Sequence, residues 1–331
     1  MMKYFSRNKT SFKHEGLAAV VVFLVALPLS LGIAVATGAS PMSGIISAAI
    51  GGIIVGALAG CPLQVSGPAA GLITIVAEII HKFGLKELGL IVFLAGIIQL
   101  IFAVLKLGPV FRAVAPSVIQ GMLSAIGVSI FASQFHVMVG DTTSHGPVGN
   151  LLLIPNSLIQ GLFPMDGSVY HMSALIGVIT IATIIIWNFV PKSIKAVPPA
   201  LIGVIASIFV SKFFQLPIKH LSLPDGILQD LQILDFGSVL PAFTNSALMI
   251  AAFTVAFVAT AETLLTATAV DQLHSGSRTN YNKEIFAQGV GNFFAGILGV
   301  LPISGVIVRS ASNVSAGAKT RISTILHGVL L

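Results

Sequence analysis

Apolar runs of membrane-crossing length, nearly free of charge, recur along this chain, separated by short polar breaks. They cover residues 16–38, 43–60, 62–80, 88–105, 114–139, 171–190, 197–211, 246–270, 285–300 and 302–318, and an eleventh begins near 322 and is still apolar at Leu331. A helix needs about 20 apolar residues to cross the hydrocarbon of a bilayer. The pattern therefore predicts an all-α polytopic membrane protein, with the sequence expected to be a piece of a longer chain cut within its eleventh span. The first run follows Lys3, Arg7, Lys9 and Lys13. It exceeds the roughly 7 to 15 apolar residues of a signal peptide, so it reads as a retained helix.

Two spans carry residues that a plain lipid-facing helix would not. In "CPLQVSGPAAGLITIVAEII" the residues Pro62, Gln64, Ser66, Gly67 and Pro68 precede an apolar helical half, and in "LPISGVIVRSASN" Pro302, Ser304 and Gly305 do the same. Proline and glycine interrupt a membrane helix only where the freed backbone groups are buried in protein or face water. The two breaks lie seven spans apart, in the third and the tenth. An odd offset inverts orientation, so the half-helices enter from opposite sides with their N-termini meeting near the midplane, the arrangement of an inverted seven-helix-repeat transporter. Helix N-termini present unpaired N–H groups and a positive dipole end, which suits an anion.

Within this frame the intramembrane polar residues become candidates. Arg309 falls on the first turns of the tenth half-helix. It either raises the positive potential at such a pocket and hydrogen-bonds the anion, or pairs with a carboxylate such as Glu262 and fixes packing. Glu262 and Thr266 are one turn apart on the eighth span, flanked by Thr263 and Thr268. That pair suits a coupling cation, a proton, or neutralisation of Arg309. Gln288 and Asn292 share a face of the ninth span, a pattern for interhelical hydrogen bonding, and Gly52, Gly56 and Gly60 form a small-residue ridge for close helix packing. Glu78, with His81 and Lys82 close behind, reads as a solvated rim.

Composition narrows the class further. The chain is 55% apolar and 8% charged, with a mean hydropathy of +1.00, against about 25% charged residues in soluble domains. Counted by loop from a cytoplasmic N-terminus, the inside set is Lys3, Arg7, Lys9, Lys13, Lys106, Arg112, Lys192, Lys195, Arg278, Lys283, Lys319 and Arg321, and the outside set is Lys82, Lys86, Lys212 and Lys219. Twelve against four obeys the positive-inside rule and leaves only Arg309 unplaced. The net charge of +6 thus belongs to cytoplasmic loops and not to a nucleic-acid surface. Cys61 is the single cysteine, which excludes an intramolecular disulfide and thiolate metal clusters, and the eight histidines show no ligand spacing. No paired carboxylates or nucleophile constellation points to an enzyme, and nothing calls for a cofactor.

The segments "ALPLSLGIAVATGASPMSGIISAAIGGIIVGALAG", "VSGPAAGL", "AETLLTATAVDQL", "NYNKEIFAQGVGNFFAGILG" and "VRSASNVSAGAKTRIS", in this order, resemble the sulfate permease (SulP) family of inorganic anion transporters. The resemblance runs from about residue 14 to the end. It implies fourteen spans in two inverted repeats, a core domain of spans 1–4 and 8–11, a gate domain of spans 5–7 and 12–14, and often a cytoplasmic STAS domain. On this chain it implies a cytoplasmic N-terminus over 1–15, core over 16–106, gate over 107–212, an extracytoplasmic connection over 213–245, and core again over 246–331, with spans 12–14 and any STAS domain beyond the sequence. The implied setting is the bacterial inner membrane, the full-length protein a homodimer. The family's anion site maps to Ser66, Gly67, Pro68 and Ala69 on the third span and to Ser304, Gly305, Val306 and Ile307 on the tenth, with Arg309 matching a basic residue that members often carry. In sodium-coupled bicarbonate members an acidic residue and a threonine on the eighth span help to hold sodium, and these match Glu262 and Thr266. Ile307 and Ala69 stand where those members have hydroxyls, which leaves the coupling ion open between H+ and Na+. The expected activity is secondary active transport of sulfate or bicarbonate; an anion channel and a nucleobase carrier of the same fold are the alternatives.

Overall fold

The computed structural model describes residues 2–113, 116–141, 146–163, 167–190, 199–218 and 231–331. Lys192, Lys195 and Lys219 of the charge count lie outside the described residues. The chain divides into two compact units, 1–120 with 223–331, and 121–222.

The first unit opens with α1 (Met2–Thr37), which contains Pro28, and α2 (Pro41–Ile50). Ser40 caps α2, its Oγ accepting from the Met42 N–H, and Pro41 occupies the first turn, where its missing N–H costs nothing. α2 runs on through a π-helical turn (Gly51–Val55) into α3 (Gly56–Leu58). The third span then breaks into a short strand, β1 (Ser66–Pro68), a 3₁₀ turn (Ala70–Leu72) and α4 (Ile73–Phe83). α5 (Leu85–Val104) and α6 (Gly108–Ala113) follow.

The second unit holds most of α7 (Pro116–Val139), then α8 (Gly146–Leu162), α9 (Val169–Trp187) and α10 (Pro199–Phe213). The hydrophobic pattern does not set α8 apart as a span, because Asn150, Pro155, Asn156 and Ser157 punctuate its apolar run. The structure explains one of these polar side chains, that of Ser157. Buried His136 on α7 places Nε2 2.7 Å from the Asn150 carbonyl, and Nδ1 2.7 Å from Ser157 Oγ and 2.9 Å from Asp141 Oδ2. Serine and aspartate share one ring nitrogen while a backbone carbonyl takes the other, so this cluster pins α7 to α8 and lacks the geometry of a nucleophilic triad.

The chain returns to the first unit with α11 (Val239–Ala242), α12 (Ser246–Leu273), α13 (Tyr281–Ile297), β2 (Ile303–Gly305), α14 (Ile307–Ser315) and α15 (Ile322–Leu330). Asn245 and Asn280 cap α12 and α13 by accepting backbone N–H bonds. α5 and α13 cross closely because each offers glycine at the contact. A Cβ on Gly289 would lie 2.9 Å from the Leu100 nitrogen, and one on Gly96 would lie 2.9 Å from the Gly289 carbonyl. The Gly52–Gly56–Gly60 ridge behaves as expected: Gly52 meets Gly328 and His327, Gly56 meets Thr324, and Gly60 meets Asn280. Among the described residues five helices are long and apolar enough to cross a membrane.

Candidate binding site at the crossing of two broken helices

Both broken spans form short strands because Pro, Gly and Ser stop the helix there, and the freed backbone groups pair with each other. β1 and β2 run antiparallel, with Ser66 opposite Gly305, Gly67 opposite Ser304, and Pro68 opposite Ile303. Each strand is followed by its half-helix. Antiparallel pairing therefore sends α4 and α14 away from the crossing in opposite directions, with both N-termini at its edges. The Val306 N–H donates to the Val65 carbonyl at 2.9 Å and extends the ladder.

Every neighbouring helix grips this crossing. From α12, Thr263 Oγ1 accepts the Gly305 N–H at 3.0 Å, and Thr266 donates to the Gly305 carbonyl at 3.1 Å. On α14, Ser310 Oγ accepts the Val65 N–H at 2.9 Å and Asn313 donates to the Leu63 carbonyl at 3.0 Å. Gln288 on α13 donates to Ser66 Oγ at 2.6 Å, so the Ser66 side chain turns toward α13. The opposite face of β1 belongs to Arg309: a Cβ at Gly67 would strike its Nη1.

Arg309 is fully buried, and its Nη2 donates to Ser30 Oγ at 2.9 Å. Ser30 lies two residues after Pro28 on α1 and itself donates to the Ala26 carbonyl at 2.7 Å. Arg309 Nε and Nη1 have no protein partner. The reading in which Arg309 pairs with Glu262 is not what the structure holds: Glu262 Oε2 accepts from Ser304 Oγ at 2.9 Å, and the carboxylate packs against Gly71 at the start of the third half-helix. Gly71 is what lets it approach, since a Cβ there would lie 2.7 Å from Oε1.

Ala69, Val306 and Ser304 are buried, whereas Ile307 and Val308 are 42% and 57% exposed at the outer face of the α14 N-terminus. Ser66, Gly67, Pro68, Ala69, Ser304, Gly305, Val306, Ile307, Arg309, Glu262 and Thr266 thus gather around one crossing, although Ser304 and Thr266 donate their hydroxyl protons to protein acceptors and Ser66 Oγ accepts from Gln288.

The sulfate permease family model matches residues 12–331. The chain belongs to the sulfate permease family. Curated sulfate permease relatives include the "Putative sulfate transporter YvdB" of Bacillus subtilis, 30% identical over 98% of this chain and 60% of that protein. The "Bicarbonate transporter BicA" of Picosynechococcus is 27% identical over 98% of this chain and 58% of that protein. The chain spans about three-fifths of the length of these relatives. Among solved structures, the transmembrane domain of a cyanobacterial BicA superposes with a TM-score of 0.81 at 24% identity, covering 97% of this chain and 81% of that one. SLC26A9 superposes with a TM-score of 0.77 at 16% identity, covering 97% and 53%. With its apolar helices, the chain is an integral membrane protein of this fold.

Two buried carboxylates were not legible in the sequence. Glu284 is fully buried on the first turn of α13 and accepts from the Gly60 and Cys61 N–H groups at 2.7 and 2.8 Å and from Gln64 Nε2 at 3.0 Å. Glu15, also buried, accepts from the Lys319 and Thr320 N–H groups ahead of α15 and from the Ser323 N–H in its first turn. Asn292, read from the sequence as an interhelical hydrogen-bonding residue, bonds Gln99 on α5 and also the backbone of β2. A carboxylate beside a basic stretch reads as solvated in sequence; its burial shows only when distant N–H donors converge on it.

Proposed function

We propose that this chain forms the anion-carrying part of a secondary active transporter that moves sulfate or bicarbonate by alternating access. The observation that carries the reading is Arg309: fully buried, with two N–H positions lacking a protein partner, beside a crossing from which two half-helices depart. A buried charge without a partner costs several kcal/mol, and an anion at the half-helix N-termini offsets that cost. The sulfate and bicarbonate transporters among the relatives support the same substrate class.

Glu262 supplies the coupling. Its carboxylate already lies against Gly71 at one half-helix start, so an arriving anion meets a negative charge there. A proton or a cation at Glu262 removes that repulsion and ties anion binding to the coupling ion. Thr266 serves this arrangement by holding Gly305. The first unit acts as the core domain of the inverted repeat and the second contributes to the gate. The whole protein works as a homodimer in the bacterial inner membrane with a cytoplasmic N-terminus.

The test is uptake of labelled sulfate and bicarbonate into proteoliposomes by the full-length protein, with and without a sodium or proton gradient. Saturable uptake of one anion, driven by one gradient, is expected. Conductive flux far above carrier turnover assigns a channel instead, and failure to move or bind either anion overturns the reading.

A further inference from the structure

The polar residues of α13 fall at i, i+4 and i+8, and each touches the crossing region differently. Glu284 holds the turn at Gly60 and Cys61, Gln288 holds the Ser66 hydroxyl of β1, and Asn292 holds β2. All three are fully buried. Asn292 has the most specific geometry: its Oδ1 accepts the Ile303 N–H at 2.7 Å, and its Nδ2 donates to the Ile303 carbonyl at 2.9 Å. These two bonds reproduce what a neighbouring strand gives one residue of a ladder. Ile303 is the first residue of β2 and stands at the end of its pairing with β1, opposite Pro68.

We propose that Asn292 is a positioning residue for anion binding, its amide standing in as a third strand that fixes β2 and thereby aims the N-terminus of α14. The inference rests on the anion-site reading above. Gln99 on α5 supports it, because Gln99 Oε1 accepts from Asn292 Nδ2 at 2.8 Å while its Nε2 donates to Thr260 Oγ1 on α12 at 3.1 Å. The amide is thus oriented by a chain of bonds across three helices, and neither of its atoms is left to rotate. Glu284 differs in kind. Its carboxylate is saturated by N–H donors, so it anchors the loop before β1 and offers no oxygen to a cation.

Asn292→Leu keeps the same branched four-atom skeleton and removes both bonds to Ile303; Gln99→Leu removes only the support. Two readouts apply to each protein in lipid nanodiscs. The first is sulfate and bicarbonate binding per folded molecule. Asn292→Leu is expected to weaken binding by about tenfold or more and Gln99→Leu by a smaller factor, the size expected for backbone hydrogen bonds lost in a buried site. The second needs no anion: amide hydrogen exchange over residues 303–308 is expected to rise at least tenfold in Asn292→Leu while exchange in α5 stays unchanged. A lower melting temperature with unchanged affinity per folded molecule assigns a purely structural role and overturns the proposal. Unchanged exchange over 303–308 overturns it too. If the wild type itself binds neither anion, the anion-site reading fails, and the exchange result alone then decides whether Asn292 fixes β2.

Discussion

At the residue scale, the intramembrane charges divide the work. A structural Arg309 would have a full set of protein partners; the structure gives it Ser30 and leaves Nε and Nη1 open. Arg309→Gln keeps amide donors on a shorter side chain and removes the charge. At an effective dielectric near 20, a unit charge about 6 Å from the anion contributes on the order of 2 to 3 kcal/mol, roughly 30- to 100-fold in affinity. Sulfate binding should fall more than bicarbonate binding, because the Coulomb energy scales with ligand charge. Equilibrium binding recorded beside thermal stability checks this, and collapse of stability with unchanged affinity would return Arg309 to a packing role. Glu262→Gln should weaken any proton or sodium dependence of uptake. Sodium dependence of the wild type itself should be weak, since Ala69 and Ile307 offer no hydroxyl. Strong sodium-driven uptake by the wild type would contradict that account. The sequence carried the identity of these residues, because lipid tolerates a charge only for a reason. It did not carry their pairing: whether Glu262 met Arg309 or Ser304 depended on a rotamer and on the missing side chain of Gly71.

At the element scale, the two broken spans were readable because Pro62, Gly67, Pro68, Pro302 and Gly305 interrupt otherwise uniform hydrophobicity. The register of the strands was not, since three-residue strands carry no periodicity and their pairing is set by α12, α13 and α14 around them. That packing leaves no slack at the glycines. A Cβ on Gly305 would strike Gln64 Nε2 and come within 3.2 Å of the Thr263 Cα. Gly305→Ala should therefore displace the start of α14 and lower anion affinity by more than tenfold, while Gly38→Ala, whose Cβ meets nothing within 4 Å, should leave affinity unchanged despite its strained backbone. Binding titrations of both variants decide the point. The loop ahead of β1 depends on Glu284 in the same way. Glu284→Ala leaves at least two buried N–H groups without an acceptor, at about 1 to 3 kcal/mol each, so on the order of 3 kcal/mol of stability should be lost. Thermal unfolding in lipid measures it; a shift within error would mean that water replaces the carboxylate.

At the scale of the whole molecule, the charge bias and the packing register make the same claim about sidedness, and each can be read without the other. Gly89 of α5 lies against Gly296 and Gly299, while Gly96 lies against Gly289 and Phe293, so α5 and α13 run antiparallel. The start of α5, just after Lys82, therefore sits at the end of α13 remote from Lys283. Twenty residues of α5 at about 1.5 Å each separate the two ends by about 30 Å, the thickness of the hydrocarbon layer. The Lys283 end also gathers Arg321, which donates to the Ala57 carbonyl, and Gly60, whose carbonyl accepts from Asn280. Lys283 and Arg321 are in the inside set of the charge count, and Lys82 is in the outside set. Cys61 is fully buried and is the single cysteine, so in intact cells it should stay silent toward a membrane-impermeant maleimide. Lys82 and Lys283 are both exposed, which makes them neutral places for a reporter cysteine. Lys82→Cys should label from outside, and Lys283→Cys only after the membrane is made permeable. Labelling of both from outside would break the antiparallel α5–α13 frame, and the reverse pattern would place the N-terminus outside against the positive-inside rule.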